Sequence, residues 1–160
     1  SNIVRYIIVD DELIAREVLQ THLEKLTNLT LVASCKNALE AFQVLNTEEV
    51  DLIFLDINMP EISGLSLAKA ISKNTKIIFT TAYREYAVDG FDLQAVDYLL
   101  KPISFDRLLQ AINKYLGENF KDSAHSEESP AEKNESIFVR ADRKMLKEVF
   151  AENNYIERLR

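Results

Sequence analysis

The chain has 160 residues, 47% of them hydrophobic, enough for one well-filled core but too few for a second complete domain. A net charge of -7 excludes a surface built for nucleic acid or an anionic membrane, because phosphate binding rests on Lys and Arg. No apolar run approaches the ~20 residues that cross a bilayer, there is no signal-peptide pattern, and Cys35 has no second thiol to pair with, so the expected location is the cytoplasm. Ser1 and Asn2, which lack a leading Met, read as the remnant of a cleaved tag and are set aside.

Val4 to Val9 is an apolar run that ends in Asp10-Asp11-Glu12, and Leu13, Leu19, Leu23 and Leu26 then recur at helical spacing. Leu29 to Cys35 reads as a second strand. Asn37 with Glu40 three residues later is a helix start of capping-box type, and the helix is expected to bury Leu39, Phe42 and Leu45. The run Leu52-Ile53-Phe54-Leu55 has no polar alternation, which predicts a strand covered on both faces, and it delivers Asp56 to its carboxyl end, where Pro60 turns the chain away. The carboxylate is expected to be rigidly held and open to solvent. A helix over 63–74, a strand over 76–80 ending in Thr80-Thr81-Ala82, a short helix over 85–91 and a strand over 95–100 closed by Lys101-Pro102 follow. Ser104 caps a last helix through Leu108, Leu109, Ile112 and Leu116, which Gly117 is expected to stop.

Five alternations of strand and helix predict an α/β fold: a doubly wound, five-stranded parallel sheet in the order 2-1-3-4-5. Ligands on such sheets lie beyond the carboxyl ends of the strands. That rim receives Asp10 and Asp11 from the first strand, Asp56 from the third, Thr81 from the fourth and Lys101 from the fifth. One acid at a strand end is as often structural as functional, but four strands each placing a useful group at one rim favours a site. Three carboxylates there repel one another by about 1 to 4 kcal/mol per close pair. An all-oxygen donor set points to a hard cation such as Mg²⁺. With an ammonium at Lys101 and a hydroxyl at Thr81, the layout suits phosphoryl transfer to Asp56 and an aspartyl phosphate product. Gly64, Gly90 and Gly117 are the only glycines and none adjoins another, so a P-loop and a dinucleotide fingerprint are excluded.

These residues carry a family resemblance. Val9-Asp10-Asp11-Glu12, Leu55-Asp56-Ile57-Asn58-Met59-Pro60 with Gly64, Thr81-Ala82 and Tyr98-Leu99-Leu100-Lys101-Pro102 resemble the receiver domain of two-component response regulators. The resemblance implies that Asp56 is the phosphoacceptor from a sensor histidine kinase. It implies a metal held by Asp11, Asp56 and the backbone carbonyl of Asn58, with Asp10 acting mostly through water. It further implies that Lys101 pairs with the phosphoryl group and that the bond before Pro102 is cis. Thr81 and Tyr98 would form the switch pair, and Asn58 and Tyr83 would flank the water that ends the phosphorylated state. A homodimer on phosphorylation is expected, on the face of the fourth helix, fifth strand and fifth helix.

The resemblance assigns residues 3–118 to the receiver. Residues 119–136, polar and without periodicity, read as a flexible linker. Residues 137–160, with Ile137-Phe138-Val139-Arg140, Met145-Leu146-Lys147-Glu148-Val149-Phe150 and Tyr155-Ile156-Glu157, resemble the start of a LytTR-type DNA-binding domain, cut short, so DNA contact is expected only through the full-length output domain. The basic cluster Arg140, Arg143, Lys144 and Lys147 could touch phosphates in the full protein, but alternating with Asp142 and Glu148 it reads equally as a solvated hairpin edge. Two other readings stand beside the transcription regulator: a stand-alone receiver that acts by protein interaction, and an Asp-nucleophile phosphatase. The receiver reading makes the chain a signalling protein rather than an enzyme. His22 reads as a packing residue, since no helical bundle of a phosphotransfer domain surrounds it.

Overall fold

The computed structural model describes residues 3–88 and 95–124. Five parallel strands, β1 (Val4–Val9), β2 (Leu29–Cys35), β3 (Leu52–Asp56), β4 (Lys76–Thr81) and β5 (Asp97–Leu100), form one sheet in the order β2-β1-β3-β4-β5, as the alternation predicted. The apolar runs of β1, β3 and β4 pair centrally, with Ile7 opposite Ile53 and Ile53 opposite Ile77, and each is buried on both faces. That is why they lack polar alternation.

Five helices cross between them: α1 (Leu13–Leu23), α2 (Ala38–Thr47), α3 (Gly64–Lys69), α4 (Arg84–Val88) and α5 (Phe105–Ala124). Tyr6, Ile8 and Phe54 on one face of the sheet pack with Leu19 and Leu23 of α1 and Leu108 and Ile112 of α5. Ile7, Ile53, Leu55 and Phe79 on the other face pack with Ala38 and Ala41 of α2 and Leu67 of α3. The two-sided winding places every strand's carboxyl end at one rim.

Several local expectations are corrected. Helix α2 does begin at Asn37, whose side chain accepts the Glu40 N–H at 2.8 Å, but Glu40 returns its bond to the Lys36 N–H at 2.9 Å. It buries Ala38 and Ala41 while Leu39 and Phe42 remain 62% and 47% exposed. Small residues let the helix lie close to the sheet, which rotates the larger ones outward. Helix α3 ends at Lys69 because the Ala70 and Ile71 N–H groups turn back to Leu67 and Ala68, tightening the last turn, and Ser72 then accepts from the Asn74 N–H. Helix α5 runs through Gly117 to Ala124: a helical glycine costs about 1 kcal/mol, and the surrounding turns carry it. The receiver boundary at 118 and the start of the linker at 119 therefore fall inside a helix. The remainder of the expected linker, the LytTR-like segment and the end of the predicted 85–91 helix lie outside the described residues. No helix among the described residues is long and apolar enough to cross a membrane.

Candidate functional site

The rim predicted from the strand ends forms around Asp56, the last residue of β3. Its backbone is fixed from both sides: the Ile57 N–H donates to the Thr80 carbonyl at 3.0 Å, and the Gly64 N–H donates to the Ile57 carbonyl at 2.9 Å. A Cβ at Gly64 would land on the main-chain carbonyl of Asp56, so α3 can start here only with glycine. The acid is 4% exposed, which corrects the expectation that it stands open to solvent. Asp10, just after β1, is buried as well, and Asp11 beside it is exposed. Carboxylate oxygens of Asp10, Asp11 and Asp56 all lie within 4.8 Å of one another.

Lys101, directly after β5, enters this cluster from the opposite side. Its Nζ is 2.7 Å from an Asp10 oxygen, 3.4 Å from an Asp56 oxygen and 3.6 Å from Glu12. Burial opposes the ammonium charge, but the hydrogen bond and charge of Asp10, followed by Asp56, outweigh it and hold Lys101 above its ordinary value. Asp56 is left less well compensated. Burial and then the charge of Asp10 push it up to about 6, against the pull of Lys101 and of a hydrogen bond from the Asn58 backbone. One ammonium therefore serves two buried carboxylates and touches a third acid. A divalent cation with oxygen ligands fits that excess, with exposed Asp11 as the point of entry. The bond between Lys101 and Pro102 is cis.

The remaining predicted residues lie around this centre. Thr81 is fully buried, and its hydroxyl oxygen accepts the Tyr83 N–H at 3.0 Å. Tyr98 is half-buried and stacked on Phe79, with ring centroids 5.4 Å apart and planes 18° from parallel. Tyr83 is 52% exposed and meets Tyr86 edge-on, and the Asn58 side chain is also exposed. Beside the acids a cavity of about 570 Å³ opens between α1 and the segment after β5, lined by Glu12, Leu13, Ile14, Val18, Pro102 and Ile103 among others.

Two supporting residues escaped the reading of the sequence. Arg16 donates to the Asp10 carbonyl at 2.7 Å and to the Ser34 hydroxyl at 3.0 Å, clamping the turn that carries the acids to the edge strand. Its position one helical turn after Glu12 is the local signal that it can reach back to that turn. Arg107 forks onto Asp97 at 2.9 and 2.8 Å, joining the start of β5 to α5, and a ten-residue separation gave no such hint. Cys35 is buried at the end of β2, with its thiol pushed up to about 11 by burial and then by Glu40.

Comparison with known proteins agrees with this geometry. Residues 6–113 match the family model described as the response regulator receiver domain. An uncharacterized response regulatory protein of Shewanella oneidensis is 46% identical over 110 residues, covering 68% of this chain and 47% of its own. The sensory transduction protein LytR of Staphylococcus haemolyticus is 40% identical over 114 residues, covering 69% and 44%. The response regulator TrrA of Thermotoga maritima, crystallised in complex with Mg²⁺-BeF, superposes with a TM-score of 0.63 at 36% identity, covering 71% of this chain and all of that one. The chain belongs to the response regulator receiver family, and its likeness to LytR places its receiver among those of the LytTR regulators. It spans about half the length of the curated relatives it matches.

Proposed function

We propose that this receiver is a phosphorylation switch in which Asp56 accepts a phosphoryl group from a sensor histidine kinase. The observation that carries the reading is the convergence of three carboxylates within 4.8 Å, with the Lys101 ammonium 3.4 Å from Asp56. Asp56, as carboxylate, attacks the phosphorus through one oxygen while the bond from phosphorus to the donor's leaving atom breaks, giving an aspartyl phosphate. Asp11, Asp56 and the Asn58 carbonyl would hold Mg²⁺, with Asp10 acting through water. Mg²⁺, when bound, neutralises phosphoryl oxygens as charge builds on them. Lys101 supplies the fixed positive charge on the other side of the phosphoryl group, and the Thr81 hydroxyl donates to it after letting go of the Tyr83 N–H. Tyr98 then moves behind Thr81.

The exposed apolar residues of α1 beside the cavity supply a surface for the phosphodonor protein next to the acceptor. The full-length parent would work in the cytoplasm, pair into a homodimer when phosphorylated and regulate transcription through a LytTR-type output domain that contacts DNA. The residues from 137 onward would be the start of that domain. Incubation with acetyl phosphate and Mg²⁺ should add one phosphoryl mass, and Asp56→Asn should abolish the adduct. An adduct that persists in this variant refutes the assignment. Continued turnover of small phosphate esters would favour the phosphatase, and an unchanged mass in the wild-type chain would favour an interaction module.

A further inference from the structure

His22 lies in the last turn of α1, and nothing in the phosphoryl chemistry above uses it. Its Nε2 is 3.0 Å from the carbonyl oxygen of Ile103. A carbonyl only accepts, so Nε2 carries the hydrogen. The Nδ1 is buried without a hydrogen-bond partner. The ring packs against Phe105, the first residue of α5, with centroids 5.6 Å apart.

The carbonyl it holds belongs to the residue two after Lys101. The Lys101 segment is thus tied down at two points: its own N–H donates to the Thr81 carbonyl at 2.7 Å on the sheet side, and Ile103 accepts from His22 on the helix side. Between those ties the lysine stem must span from the end of β5 to the gap between Asp10 and Asp56. Lysine carries its charge on a flexible four-carbon stem, so where the ammonium can reach is set by where its backbone is held.

We propose that His22 is a positioning residue, whose Nε2–H pins the Ile103 carbonyl and so sets the reach of Lys101 toward the phosphoryl group at Asp56. The proposal rests on Asp56 being the phosphoacceptor. A bystander packing residue would affect melting alone. A positioning residue affects the step that uses Lys101 without weakening the hold on a metal, which the ammonium does not ligate. Misplacement of a catalytic group by about 1 Å costs up to ~100-fold in rate, and loss of one of two ties should cost roughly tenfold.

The test compares His22→Leu, which keeps the apolar bulk, with His22→Gln, whose amide N–H can replace Nε2–H. Adduct formation from acetyl phosphate should slow about tenfold in His22→Leu and recover in His22→Gln, while Mg²⁺ affinity, measured by titration calorimetry, does not fall in either. An unchanged rate in His22→Leu with a lowered Tm overturns the proposal, as does Mg²⁺ affinity falling in step with the rate. If the leucine variant does not fold, the wild-type imidazole decides by ¹⁵N NMR: a hydrogen on Nε2 supports the proposal, and a neutral ring with its hydrogen on Nδ1 overturns it. If the wild-type chain forms no adduct at Asp56, the phosphoacceptor reading falls separately. The Lys101 Nζ resonance then decides the placement, by moving in His22→Leu and returning in His22→Gln, or by staying still and overturning it.

Discussion

Asp56 and Asp97 are both buried aspartates at the ends of strands in the same sheet, yet their surroundings push them in opposite directions. Asp97 stands at the start of β5, where burial raises its carboxyl but the Arg107 fork, the Tyr98 N–H and Lys114 more than offset it and hold it below the ordinary value. Asp56 stands at the end of β3, shares one lysine with Asp10 and is pushed up to about 6 by burial and then by that neighbour. The first carboxylate is matched to its partners within the chain and fastens α5 to the sheet. The second is left with a surplus of negative charge that the fold itself does not neutralise. A stability site and a reactive site thus differ in whether the local charges close, while both are equally buried.

The largest expected effect comes from breaking the matched pair. Arg107→Met leaves Asp97 buried with the Tyr98 N–H and Lys114 beside it and should lower stability by about 2 to 3 kcal/mol, the usual cost for a buried pair reduced for the partly exposed guanidinium. Because Asp97 is held below its unfolded value, its contribution is present above that value and is lost as pH falls through the folded one. Urea denaturation should therefore show the gap between wild type and Arg107→Met narrowing in acid, and a pH-independent gap would mean that the guanidinium contributes packing only.

Next is the opposite change at the unmatched acid. Asp56 has an ordinary value of 3.8 and a folded value of about 6, so the folded state keeps a proton that the unfolded chain releases between these limits. The penalty is absent below the lower limit and complete above the upper one. Asp56→Asn in metal-free buffer should thus raise stability by about 2 to 3 kcal/mol at neutral pH and by almost nothing near pH 3. A destabilised asparagine variant at pH 7 would show that Lys101 already compensates Asp56 in full.

Asp11→Ala should bring a smaller gain in Tm, because Asp11 is exposed, together with weaker Mg²⁺ binding in a calorimetric titration. Loss of folding instead would make Asp11 structural. Smallest in stability is Tyr83→Glu, which should leave Tm almost unchanged but shorten the life of the phosphorylated chain. On the proposed reading Tyr83 would shield the approach to Asp56 without offering a base, and a positioned carboxylate contributes about 100-fold or more where it polarises water. The rate of phosphorylation from acetyl phosphate should change little. A lifetime equal to or longer than wild type would place Tyr83 off the path of the water.

The sheet and its rim were legible because both are written locally. Unbroken apolar runs announce buried strands, and Asp10, Asp11, Asp56, Thr81 and Lys101 each follow such a run directly. What the pattern could not carry was depth. Leu39 and Phe42 fit a helical stripe as well as Ala38 and Ala41 do, and close approach to the sheet decided for the alanines, while Leu45 packs against the core as expected. Asp56 was expected in solvent because a strand end is a rim, but Asp10 and Lys101 crowd its carboxylate and Gly64 lies against its main-chain carbonyl. Ties between distant segments were hidden altogether: Arg5 to Asp51, Arg107 to Asp97 and His22 to Ile103 leave no periodic trace.

Gly64 has a consequence for how this molecule can vary. Any side chain there collides with the carbonyl of the residue that carries the acid, and relief would require α3 to back away from β3 or Asp56 to leave the line of its strand. Either movement shifts the carboxylate relative to Lys101 by an amount that matters at 3.4 Å. Position 64 is therefore a gauge for the site as well as a turn. In a library of random substitutions it should tolerate one letter, even in a selection that asks only for the acid to work and sets no threshold on melting.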